Sequence, residues 1–107
     1  MDDELVARSL GALSQVHRLK AFRALVVAGK QGLTPGVLSE QLGISAASMS
    51  FHLKELLFAG LVSQTRDGRN LIYRASFDRM NELLGFLTSN CCEGTMALSL
   101  DASCRPM

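Results

Sequence analysis

Between Thr34 and Ala59 the chain reads TPGVLSEQLGISAASMSFHLKELLFA, two short helical patterns separated by a single glycine. Few folds accept such punctuation. Thr34 is placed to cap the first helix and Pro35 to occupy its first turn, where the missing N–H costs nothing. Val37, Leu38 and Leu42 form its inward positions, and Gly43 suits a left-handed C-terminal cap. After Ile44, Ser45 is the next N-cap, and a helix is predicted to about Ala59, with Met49, Leu53, Leu56 and Leu57 inward and Gly60 closing it.

The next segment is LVSQTRDGRNLIYRA, in which two β-prone stretches flank Asp67-Gly68. Asp-Gly is a strong signal for a two-residue hairpin turn, because it tolerates the positive φ that such turns need. Upstream, Leu5, Val6, Leu10 and Leu13 mark a helix over about 4–13, and Leu19, Phe22, Leu25 and Val26 one over about 15–28. Downstream, a helix starts near Ser76 and carries Phe77, Met80, Leu83, Leu84 and Leu87 to about Asn90. From Glu93 periodicity ceases. The expected fold is mainly α with one β-hairpin, a winged helix-turn-helix. Residues 1–90 form its domain and 91–107 a tail.

A chain of 107 residues makes one small domain, with 48% hydrophobic and 20% charged residues. Its apolar runs fall far short of the roughly 20 residues that span a bilayer. The acidic start MDDEL lacks the basic and apolar regions of a signal peptide, so a cytoplasmic protein without a membrane role is expected. The net charge of +1 announces no nucleic-acid partner. Over 44–74, however, Lys54, Arg66, Arg69 and Arg74 outnumber Glu55 and Asp67. That balance permits phosphate contact and equally suits an ordinary solvated surface.

A helix that enters the major groove needs short polar side chains at its start and a few donors. With Met49 inward, Ser45, Ser48 and His52 share one flank of the second helix, and Ser50 and Lys54 the other. Arg66 and Arg69 stand on either side of the hairpin turn, within reach of backbone or minor groove. Phe51 and Phe58 point away from the inward stripe, and packing under the wing is the expectation for them.

LSEQLGISAASMSFHLKELLFAGLVSQTRDGRNLIYRA, preceded by HRLKAFRALVVAG, resembles the signature region of the ArsR/SmtB metal-responsive repressors over about residues 4–90. The resemblance implies a homodimer built through the first and last helices, and an apo dimer bound to an inverted-repeat operator in double-stranded DNA. It further implies that inducer releases the DNA, and that Ser45, Ser48, Ser50 and His52 face it. Two positions depart from the pattern. Ala46 stands where many relatives have glutamine, and Phe51 where arginine is frequent.

All three cysteines, Cys91, Cys92 and Cys104, fall in the last 17 positions. On residue type alone they serve equally as incidental thiols or as ligands. The helix before the reading helix, where many arsenic-sensing relatives hold cysteines, has none here, and NELLGFLTSN lacks the histidines of zinc sensors. Some family members place arsenic-binding cysteines at the end of the last helix, which supports a site of Cys91, Cys92 and Cys104. Three thiolates without histidine favour trivalent arsenic or antimony, whose lone pair replaces a fourth ligand, over structural zinc. No obligatory cofactor is expected. Alternatives are a disulfide- or persulfide-sensing repressor of the same fold, a cadmium or lead sensor, and a protein-binding or metal-buffering module. An enzyme is not expected, because no cysteine precedes a phosphate-cradling loop and no Cys-x-x-Cys occurs; no residue is assigned a catalytic role.

Overall fold

The computed structural model describes residues 1–89. Cys91, Cys92, Cys104 and the expected tail lie outside the described residues. The elements run α1 (Asp3–Leu13), α2 (Val16–Ala28), a 3-10 turn (Gly29–Gln31), α3 (Pro35–Leu42), α4 (Ala46–Phe58), β1 (Val62–Asp67), β2 (Asn70–Ala75) and α5 (Phe77–Thr88).

Local chemistry fixes most helix ends. Asp2, Gln15, Thr34, Ser45 and Ser76 each accept a backbone N–H of the helix they precede, at Leu5, Arg18, Val37, Ser48 and Arg79 respectively. Each such cap satisfies a donor that the helix leaves open, a contribution of about 1 kcal/mol. Gly43 ends α3 in the left-handed region, at φ +66 and ψ +33, and its N–H returns to the Ser39 carbonyl. The core draws Phe22 and Leu25 from α2, Leu38 from α3, Met49, Leu53 and Leu56 from α4, and Leu61, Val62 and Tyr73 from the hairpin. Val37 departs from the expected inward set, remaining 38% exposed while Leu38 carries the burial of α3.

The strands pair antiparallel from Val62 with Ala75 to Asp67 with Asn70. The two-residue loop is therefore Gly68-Arg69, one position later than expected, with Gly68 at φ +66. Asp67 is the last paired residue and not a turn residue. A short third edge also appears. Leu33 N–H donates to the Tyr73 carbonyl at 3.0 Å, and Tyr73 N–H to the Leu33 carbonyl at 2.9 Å. Gly32 makes this possible, because a Cβ there would lie 2.5 Å from the Tyr73 carbonyl oxygen.

Helix α5 buries only Leu83. Phe77, Leu84 and Leu87 remain 39%, 53% and 52% exposed, and Leu10 on α1 is 42% exposed. Among the described residues, these two helices thus keep apolar faces uncovered. No helix among the described residues is long and apolar enough to cross a membrane.

Candidate nucleic-acid interface

Helix α4 packs through a stripe of Met49, His52, Leu53 and Leu56, all buried. At about 100° per residue, this stripe turns Ala47, Phe51 and Lys54 to the opposite side, with Ser48 and Ser50 on the flanks. All five are exposed, as are Ser45 and Ala46 at the N-terminus of the helix. The tight turn Gly43–Ser45 holds that end out from α3, so its first turns are accessible to a groove. Ser45 has a second duty, because its Oγ accepts from Ser48 N–H at 3.2 Å as the cap.

Of the side chains expected to meet DNA, His52 is not on this surface. It is 8% exposed, and its ring lies edge-on to His17 at 5.6 Å and to Phe51 at 5.7 Å. Its Nδ1 has no hydrogen-bond partner among the described residues. Burial lowers its pKa from the ordinary value, and the charges of Arg18 and His17 lower it further. A histidine so placed favours its neutral form and packs against the core. The physical reason is helical phase, since position 52 is three residues after Met49 and four before Leu56, on the core side.

The wing presents Arg66 and Arg69 as exposed cations near its loop. Arg74, the third arginine of the segment, is engaged internally. Its Nε donates to the Lys30 carbonyl and its Nη1 to Thr65 Oγ1, both at 2.7 Å. That pair of bonds ties β2 to the turn after α2 and steadies the wing relative to the core. Phe51 and Phe58 do not pack under the wing as expected. They are 56% and 73% exposed, and the Arg8 guanidinium from α1 stands 5.2 Å from the Phe58 ring centre.

One positioning residue has no local sequence signal. Arg79, in the first turn of α5, donates from Nη1 to the Ala59 carbonyl at 2.7 Å, at the C-terminal end of α4. A cation there meets the negative end of the helix dipole and satisfies an open carbonyl. Its guanidinium lies so close over Gly60 that a Cβ would fall 2.6 Å from Nη1. Helix α5 is thereby coupled directly to α4.

A capped helix, a glycine turn, a second helix with an accessible start and a two-stranded wing with exposed arginines together define a winged helix-turn-helix regulator of DNA-binding type. The family profile described as a helix-turn-helix domain matches residues 13–65. The nodulation protein NolR of Rhizobium meliloti is 33% identical over 87 residues, which cover 81% of this chain and 69% of that protein. A protein of Streptomyces lividans described as a "Probable mercury resistance operon repressor" is 31% identical over 102 residues, 95% of this chain and 78% of that one. Among solved structures, an ArsR-like transcriptional regulator from Rhodococcus sp. RHA1 superposes with a TM-score of 0.71 at 27% identity, covering 78% of this chain and 76% of that one. The chain belongs to the ArsR family of helix-turn-helix transcriptional regulators. Its relatives are helix-turn-helix transcriptional regulators, not enzymes.

Proposed function

We propose that the chain is a homodimeric repressor, paired through α1 and α5, that is released from operator DNA when trivalent arsenic or antimony binds Cys91, Cys92 and Cys104. The observation that carries this reading is the position of the thiols. Cys91 and Cys92 come within four residues of Thr88, the end of α5, whose Leu84 and Leu87 offer an uncovered apolar face. A ligand gathered at that end acts on the helix that joins the protomers. The other end of the same helix holds the carbonyl of Ala59, the C-cap of α4, through Arg79.

The energetics are those of linkage. An inducer lowers DNA affinity only by binding the DNA-free arrangement more tightly, and coupling of about 1–3 kcal/mol is the usual scale. Ligation that shifts α5 alters how two reading helices are spaced across half-sites about one helical turn apart. The relative named for mercury resistance lends support to a thiophilic inducer, and mercury(II) belongs beside arsenite in any test.

Reduced protein titrated with arsenite or antimonite, followed by the ultraviolet absorbance of metalloid–thiolate bonds, tests the site. The expected end point is one equivalent per protomer, lost in Cys91→Ser and Cys92→Ser. Uptake unchanged in both variants would refute the assignment.

A further inference from the structure

We infer that Phe51 reads thymine by packing its ring against the C5-methyl groups in the major groove of the operator. The inference rests on the DNA-binding reading and adds to it a base preference and the residue that sets it.

Three observations point to this contact. Phe51 lies opposite the buried stripe of α4, at the centre of the face that Ser48, Ser50 and Lys54 border, and more than half of its surface is exposed. Among the described residues its one aromatic contact is the edge of the His52 ring, and the rest of the ring stands amid serines and a lysine. Its neighbours toward the helix start are Ala46 and Ala47, also exposed, so the leading part of this face is short and apolar. Such a surface lets the helix approach a groove closely but offers few donors to base edges. What it can recognise is the methyl group that thymine alone presents there, for which alanine and phenylalanine are suitable partners.

The ring is also preset. Its edge-on contact at 5.7 Å with the ring of His52, itself buried against His17, supports Phe51 from the core side. Less side-chain freedom then remains to be lost on binding. Further along the same ridge, Phe58 stands beneath Arg8 of α1. Phe51, two turns nearer the N-terminus, is instead bordered by the exposed Ser50 and Lys54. Lys54 is one turn from Ser50 on the same flank of Phe51, and these two polar side chains would orient the helix on phosphates while the ring meets the bases.

The experiment uses a duplex selected from a random library by the full-length reduced protein, with thymines replaced one at a time by uracil. That change removes only the methyl. Wild type is expected to lose about fourfold in affinity for each methyl contacted, and about 15-fold when one in each half-site is removed, by the free energy of burying a single methyl-sized group. In Phe51→Ala, an exposed position where folding is checked by circular dichroism, the shorter side chain withdraws from the methyl, and the difference between duplexes with and without it should shrink to well under fourfold, about twofold or less. Phe51→Leu should restore part of the discrimination.

Wild type indifferent to uracil at every half-site thymine would overturn the proposal while leaving DNA binding intact. So would an undiminished uracil effect in Phe51→Ala. A Phe51→Ala protein that dissociates into monomers would identify the ring as a subunit contact and overturn it as well. Recovery of no duplex at all would refute the DNA-binding reading on which it rests.

Discussion

Gly32→Ala is the perturbation whose cost the structure defines best. Gly32 sits at φ +67 and ψ −174, a region that only glycine occupies comfortably. Placing alanine there costs about 1–3 kcal/mol in backbone strain. A second cost is steric. The added Cβ would meet the Tyr73 carbonyl oxygen at 2.5 Å, Ile72 Cγ2 at 2.7 Å and Arg74 Cγ at 2.8 Å. The first of these is backbone held in a two-way bridge with Leu33, so it cannot swing aside as a side chain does. Overpacking of that kind adds about 1–3 kcal/mol. The total, about 2–6 kcal/mol, is a large part of the roughly 5–15 kcal/mol that stabilises an ordinary domain.

Two other glycines serve as internal controls. Gly29 has a similar φ of +65, with nothing within 4 Å of a built Cβ, and Gly43 has φ +66 in the left-handed helical region with equally open surroundings. Gly43→Ala should cost about 1–2 kcal/mol, Gly29→Ala about 1–3 kcal/mol, and Gly32→Ala more than either. Urea unfolding followed by far-ultraviolet circular dichroism, at one protomer concentration throughout, reads the series, and equal m-values license the comparison. If Gly32→Ala proves no worse than Gly29→Ala, the tight bridge between Leu33 and the wing is not rigid and the steric argument fails.

Arg79→Met keeps much of the side-chain packing while removing the bond to the Ala59 carbonyl, so stability should fall by about 1 kcal/mol, below the range for a charged hydrogen bond because the group is partly exposed. Operator affinity measured by anisotropy should fall with it, and unchanged affinity would show that α5 does not position α4. His52 has a folded pKa below its ordinary value, so the unfolded chain binds the proton more readily and stability rises with pH. The His52 contribution should therefore be fully present above about pH 6.5 and decline as pH falls from there through the lowered folded pKa. His52→Phe should flatten that slope in urea midpoints taken between about pH 7.5 and 5, and an identical slope in wild type and variant would refute it. Replacing Arg66 or Arg69 with alanine should weaken DNA binding on all sequences alike, and reduce the salt slope of log K by about one for each phosphate contact removed. A changed sequence preference with an unchanged salt slope would assign the arginine to bases instead.

Much of the fold is legible in the sequence because its signals are local. Thr34-Pro35, Gly43 and Ser45 announce α3, the turn and α4, and each acts through bonds to backbone a few positions away. The hairpin is legible to within one residue, since Asp-Gly marks a turn without saying which residue is the last to pair. Long-range bonds are not. Arg79 reaches Ala59 across 20 residues, Arg74 reaches Lys30 across 44, and the Leu33–Tyr73 bridge involves a single residue with no strand-like neighbours. The inward position of His52 is available in the spacing of Met49, His52, Leu53 and Leu56, but its polar character suggests a groove contact. Phe51 shows the converse. Its apolar character suggests packing, whereas helical phase turns it outward.

Metalloid-released repression is tested most directly by a fluorescence-anisotropy titration of the reduced, metal-free protein on duplex DNA from upstream of its own gene, with arsenite, antimonite or mercury(II) then added. Tight binding of the apo dimer is predicted, with release near one equivalent of inducer per protomer, while the serine variants of Cys91 and Cys92 remain bound. Release by peroxide or persulfide alone, with indifference to all three thiophilic ions, would contradict the metalloid reading and assign the thiols to redox sensing.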